Sequence, residues 1–468
     1  MDMELRPRPQ PQQDTHYQDS TARSQPSSDG NAYLERAPSP EDAIVAVNES
    51  DTAALPPTDG GKDAWLFLAA CFMIEGLVWG FPFAFGVFQS YYASHEPFAG
   101  SRNIPVIGTC AMGIMYLDNA LVSAVLRLYP RHARWAPLGG LFVMCLALAM
   151  SSFSSSVPHL IATQGVLYAL GGSVAYCPCI QYMDEWFARR KGLAYGIMWS
   201  ATGFGGVLIP LLLEFLLNRY GFRTTLRIWA GLLFALSAPL TVFIKPRLPI
   251  ASATHPARPN VRFLISRTFM LHQVANIAEA TGFFLPSIYL PTYAATYLGA
   301  SSFLSTLTLL IVNVSSVFGC IVMGSLIDRF DPISCIFFST VGTTIGVLVL
   351  WGLSSSLPVL YVFCVIYGFF AGSFTSTWPG VMKQVVASEE RRHRGADPIM
   401  IFGWLAAGRG VGNIISGPLS EALVSGSPWK GQPGTGYGSG HGPLIVFTGL
   451  SALLGGATIV WKQFGWLT

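Results

Sequence analysis

"EWFARRKGLAYGIMWSATGFGG" (residues 185–206) joins two incompatible environments within a few residues. Arg189, Arg190 and Lys191 form a dense basic cluster that belongs in water. From Gly192 the chain turns apolar and small, and stays so for more than a helix's crossing length. Gly192, Gly196, Ser200 and Gly203 recur every three or four residues, so a helix puts them on one face. Small residues at that spacing let a neighbouring helix approach backbone to backbone. A basic cap on a small-faced apolar helix is a membrane pattern, and the question is how often it recurs.

The composition answers in the same direction. Of the 468 residues, 51% are hydrophobic and 11% charged, against about 25% charged in a soluble domain. Mean hydropathy is +0.46. The net charge of +3 gives no reason to expect a nucleic-acid partner. All eight cysteines, including Cys177 and Cys179 around Pro178, fall in apolar segments without a histidine cluster. They read as packing residues; no metal and no cofactor is expected.

A helix needs about 20 apolar residues to cross the hydrocarbon layer. Twelve stretches qualify, near 64–90, 104–126, 136–154, 159–183, 192–216, 226–244, 268–292, 302–325, 333–354, 358–381, 398–425 and 443–461. The basic, Pro-rich segment "KPRLPIASATHPARPNVRFLIS" (245–266) divides them six and six. The expectation is an all-α membrane protein of twelve transmembrane helices in two pseudo-symmetric six-helix bundles. Its parts are a disordered cytoplasmic tail (1–62), a first bundle (63–244), a linker (245–267), a second bundle (268–462) and a short tail (463–468). The acidic, Pro- and Ser-rich first 62 residues carry no recognisable signal peptide. Seventeen Lys and Arg residues fall in loops on the side of the termini and five in the opposite loops. Both termini are therefore expected in the cytoplasm.

Polar residues inside the spans are few and aligned. Arg409, Asn413, Ser416 and Ser420 form one stripe of the eleventh span. His272, Asn276 and Glu279 form another in the seventh, and Asn313, Ser316, Cys320 and Gly324 a third in the eighth. The first span buries Glu75 on the face of Trp79 and Pro82. A guanidinium at the centre of a span costs about 2.5–3.5 kcal/mol on insertion scales, so it faces a partner or a watery cavity. Arg409, Asn413, Asn313, Glu75, Glu279 and Asn276 are the candidate substrate-binding residues. Glu75 and Glu279 are the candidate proton-coupling groups and the candidate partners of Arg409. Interhelical hydrogen bonding is the plainer reading for the asparagines.

The quoted stretch also resembles the signature of the monocarboxylate porter family of the major facilitator superfamily. Trp186-Phe187, the basic cluster, Leu193-Ala194-Tyr195-Gly196 and Ser200-Ala201 to Gly205 carry the likeness, with Ala201 where the family prefers Gly. Asp59-Gly60-Gly61 before Trp65 is similar to the family's opening motif. "GSLIDRF" (324–330) resembles the superfamily's Gly-x-x-x-Asp-Arg loop, while its first-half counterpart "NALVSAVLRLYPRHAR" (119–134) keeps the basic residues without the acid. "GRGVGN" (408–413) and "FLPSIYLPTYA" (284–294) look like the fungal branch. Two positions depart: Phe83 stands where animal members have Lys, and Cys320 where much of the family has Arg.

The resemblance implies a secondary active transporter for a small organic anion or related metabolite, working by alternating access with proton coupling or symport. The alternatives are an efflux carrier for a secondary metabolite and a transporter-like nutrient sensor. No enzyme is expected, since no constellation of catalytic side chains is present. Gly324, Asp328 and Arg329 are expected as a gating loop, Asp328 capping a helix and Arg329 pairing with an acid. Gly192, Gly196 and Gly203 are expected in helix packing. The expected partners are an anionic small molecule and the bilayer, with an accessory subunit left open. The plasma membrane is the expected location and the vacuole or another internal membrane the alternative.

Overall fold

Apolar runs become helices here because a chain in lipid must satisfy its backbone polar groups internally. The structure, a computed structural model, describes residues 55–101, 103–248, 259–431 and 435–467. Most of the expected tail and the middle of the expected linker lie outside these residues. The described residues hold helices and turns and no strand.

The first part of the chain forms α1 (Lys62–Phe83), α2 (Phe85–Ser94), α3 (Ile104–Leu117), α4 (Asn119–Leu128), α5 (Ala136–Ser151), α6 (Tyr168–Trp186) and α7 (Lys191–Ser237). The second part forms α8 (Arg267–Phe283), α9 (Leu285–Thr296), α10 (Ser302–Ile327), α11 (Pro332–Ile345) and α12 (Leu357–Ala371). It continues with α13 (Trp378–Glu390), α14 (Pro398–Val424), α15 (Gly442–Gly455) and α16 (Thr458–Gln463).

Among the described residues, eight helices are long and apolar enough to cross a membrane, or nine if the pair α3 and α4, bent by 43°, is one span. The expected count of twelve differs for identifiable reasons. The 47-residue run of α7 is two helices that meet at a kink at Gly221, φ 73°, so it covers two of the expected stretches but counts once. That backbone region costs little only for glycine. The α8 run is diluted by His272, Gln273, Asn276 and Glu279, and α5 has only 16 residues. Large apolar side chains such as Phe142, Phe215, Phe303 and Phe318 are more than 60% exposed, the surface a lipid-facing protein presents.

The small-residue stripe does what its spacing dictates. Helix α7 packs along α10 more extensively than any other pair. A Cβ on Gly196 would collide with the Cys320 carbonyl, and one on Gly192 with the Ile327 side chain and the Gly324 carbonyl. Gly203 lies against the backbone and side chains at Asn313 and Ser316. Helix α7 also packs on α1, and α14 packs on α8, α3 and α4. These contacts bring α1, α3, α7, α8 and α14 around one interior space.

Candidate functional site

A cavity of about 70 Å³ lies at that convergence. Glu75 and Trp79 reach it from α1, Tyr116 from α3, Tyr176 from α6 and Trp199 from α7. Phe283, Trp378 and Arg409 reach it from α8, α13 and α14.

Arg409 is 1% exposed and donates from Nη1 to Glu279 Oε2 at 2.7 Å. Its guanidinium carbon stands 4.2 Å from the centre of the Phe283 ring, and Tyr116 lines the cavity with it. The pair forms because α8 packs on α14 and the Glu279 face of α8 is the face that meets it. Breaking such a buried pair by removing one partner costs about 3–5 kcal/mol, since an uncompensated charge is left behind. Glu75 sits on another wall against Tyr176, whose hydroxyl accepts from Trp199 Nε1 at 2.9 Å. Glu75 Oε2 and Arg409 Nε have no hydrogen-bond partner among the described residues.

The asparagines are placed differently. Asn276 donates to the Leu405 carbonyl at 2.8 Å, and Asn313 to the Gly206 carbonyl at 3.1 Å. Each ties two helices together, and neither lines the cavity. Asn413, one turn beyond Arg409, has both amide atoms buried and unpartnered.

Two closures flank the cavity. Toward the ends where α7 and α14 begin, Trp199 and Phe402 stack at 6.1 Å with planes 12° apart, and Trp378 meets both edge-on. Toward the other end, Phe83 and Phe284, at the bends between α1 and α2 and between α8 and α9, touch at 5.8 Å.

Beyond the aromatic plug, carboxylates hold helix starts. Asp328 accepts from the N–H of Gly192 at 2.7 Å and of Leu193 at 2.9 Å. Asp59 accepts from the N–H groups of Ala188, Arg189 and Arg190 at 2.8–3.0 Å. Two anions thus sit on the positive end of one helix. Arg329, exposed in the turn after α10, makes no ion pair with the described residues, contrary to the expectation for the loop. The first-half counterpart solves its missing acid at long range. Arg127 pairs at 2.7 Å with Asp397, which caps α14 through the N–H of Ile399 at 3.0 Å. An Asp just before Pro398 was the available signal for that cap.

Residues 127–416, more than half of the chain, match the Major Facilitator Superfamily. The chain belongs to the Major Facilitator Superfamily. It is 29% identical over 436 residues to the agnestins efflux protein AgnL12 of Paecilomyces divaricatus, covering 90% of this chain and 92% of that protein. It is 25% identical to MFS transporter asaE of Aspergillus flavus, covering 91% and 90%. It is 25% identical to the aspyridones efflux protein apdF of Emericella nidulans, covering 79% and 74%. The crystal structure of the human organic anion transporter MFSD10 superposes with a TM-score of 0.61 at 14% identity, covering 85% of this chain and 99% of that one, which speaks to the fold. As a member of this superfamily the chain is a multi-pass membrane transporter of small molecules and not an enzyme.

Proposed function

We propose that this superfamily member is an alternating-access carrier that exports a small organic metabolite. Its twelve spans form two six-helix halves, 63–244 and 268–462, with both termini cytoplasmic in the plasma membrane. The observation that carries the reading is Arg409 on the wall of a cavity reached from both halves of the chain, paired with Glu279, which is not itself a lining residue. A substrate oxygen approaching Arg409 Nε competes with Glu279 for the guanidinium. A proton reaching Glu279 weakens the pair from the other side, which is how coupling enters the cycle. Glu75, whose Oε2 has no hydrogen-bond partner among the described residues, is the second proton acceptor, and Asn413 is a further polar contact as the halves part. Asn276 and Asn313 hold helices. The export direction draws on the relatives' printed names. Their efflux roles and the single cation at this site favour export of a metabolite over lactate-like uptake, and the absence of the family's two other cations, at Phe83 and Cys320, agrees.

The test compares the culture medium of cells expressing the wild type and Arg409→Ala by untargeted mass spectrometry, at matched surface expression. Metabolites enriched by the wild type and not by the variant are expected. Identical media sink the proposal.

A further inference from the structure

We infer that the cavity takes a flat aromatic compound carrying both a hydroxyl and an oxygen acceptor, with at most one negative charge. This rests on the transporter reading above and names the substrate class of the same site.

The walls supply the first half of the argument. Eight of the fifteen lining residues are aromatic, against 13% in the chain, so the enrichment belongs to the cavity and not to the composition. They stand in two groups. Trp79 and Tyr116, 4.6 Å apart between ring centres, form one. Trp199, Trp378 and Phe402, within 5.6–6.1 Å of each other, form the other. Ring faces and edges reward another ring over a saturated chain of equal area.

The polar atoms supply the second half. Glu75, Asn119, Trp79, Trp378 and Arg409 line this cavity, and Glu75 Oε2, Asn119 Oδ1, the two indole nitrogens and Arg409 Nε are buried with no hydrogen-bond partner among the described residues. Buried polar groups are rarely left unmatched. The indole and guanidinium N–H groups need oxygen acceptors; the amide oxygen, and the carboxylate oxygen when ionised, need donors. A simple carboxylate offers acceptors only, whereas a hydroxylated ring with a carbonyl or carboxyl offers both. Charge sets the limit: among the described residues Arg409 is the one Lys or Arg lining the cavity, so one negative charge is balanced as it competes with Glu279 for the guanidinium and a second finds no cation. A dianion therefore has no balance here.

The cavity at about 70 Å³ is smaller than the roughly 150 Å³ that admits benzene in an engineered core. The ring enters as the halves part, and the two aromatic groups close on it.

The test uses purified full-length chain in lipid nanodiscs and radiolabelled salicylate, with protein-free nanodiscs subtracted. Saturable binding is expected, displaced by unlabelled salicylate but not by 2-hydroxycyclohexanecarboxylate, the saturated analogue with the same polar groups. Trp199→Leu should weaken binding about ten-fold and Trp199→Phe little, because phenylalanine keeps the ring face. Both variants lose the indole bond to Tyr176, and a thermal unfolding temperature of Trp199→Leu equal to that of Trp199→Phe guards against a folding defect. Equal competition by the saturated analogue, no saturable salicylate binding, or full affinity in Trp199→Leu overturns the inference. If metabolite export still depends on Arg409 in those cases, the transporter reading stands and only the aromatic class falls.

Discussion

The carboxylate of Asp328, just past the end of α10, accepts a hydrogen bond from the N–H of Gly192 in the first turn of α7 at 2.7 Å. Residues 136 positions apart thus fasten one half of the chain to the other at the end where α7 begins. A capping carboxylate contributes about 1 kcal/mol, partly through the helix dipole. Asp328→Asn should therefore raise amide hydrogen exchange at Gly192 and Leu193 about five-fold while thermal stability changes little. Unaltered exchange at those two amides would remove the latch.

Asp59 and Asp328 share the start of α7 but differ in charge behaviour. Burial pushes Asp59 up, yet the N–H groups of Arg189, Arg190 and Ala188 outweigh it and hold the carboxyl below its usual 3.8. Burial, with Asp59 nearby, raises Asp328 despite the N–H groups of Leu193 and Gly192 and the charge of Lys383. The depressed Asp59 contributes folding stability above its ordinary value, lost only as pH falls through its lower folded value. The raised Asp328 has the opposite sign: its contribution is present at acid pH and lost as pH rises through its folded value. The latch itself needs the carboxylate charge. On acidification, exchange protection at Gly192 and Leu193, corrected for intrinsic rates, should fall at a higher pH than protection at Ala188–Arg190. Simultaneous loss at both places contradicts the assignment.

The α7–α10 contact predicts a contrast between two glycines on either side of the Gly221 kink in α7. Gly196 has no room for a Cβ, with the Gly324 Cα 3.1 Å from where it would lie, whereas Gly231 faces open space. Gly196→Ala should lower stability by about 1–3 kcal/mol through overpacking. Gly231→Ala should be neutral or stabilising by up to about 1 kcal/mol through helix propensity. Thermal unfolding in detergent compares the two, and equal effects would deny the close approach.

Arg127 and Asp397 join the ends of α4 and α14 while roughly a quarter exposed on average. Solvent screening limits such a pair to about 0.5–1 kcal/mol. A double-mutant cycle with Arg127→Ala and Asp397→Ala should return a coupling in that range that shrinks in high salt. A coupling of zero at low salt would reduce the contact to coincidence.

What the sequence disclosed follows from periodicity and polarity. The Gly192–Gly196–Gly203 stripe and the Arg409 face are visible because a helix repeats regularly along the chain. The cap by Asp328 is visible because an acid in a short loop beside a helix start has few other roles. The choice of Glu279 over Glu75 as the partner of Arg409 is not visible, since both lie on polar faces and only the packing of α8 on α14 decides between them. Asp59 capping the start of α7, 129–131 positions away, depends on tertiary approach in the same way. That Asn276 and Asn313 tie helices together is not visible either, because a polar side chain that bonds a neighbouring helix has the same periodicity as one that lines a cavity.

The central claim is that the Arg409–Glu279 pair is a switch and not only a brace. Either Arg409→Ala or Glu279→Ala alone leaves a buried charge and should cost about 3–5 kcal/mol of stability. The double variant Arg409→Ala/Glu279→Ala removes both charges and should recover much of that stability. The direct measurement is metabolite export by that double variant, set beside its thermal unfolding. The account predicts a protein nearly as stable as wild type that exports nothing above background. Wild-type export from the stable double variant would show that the pair only holds the fold together, and would contradict the account.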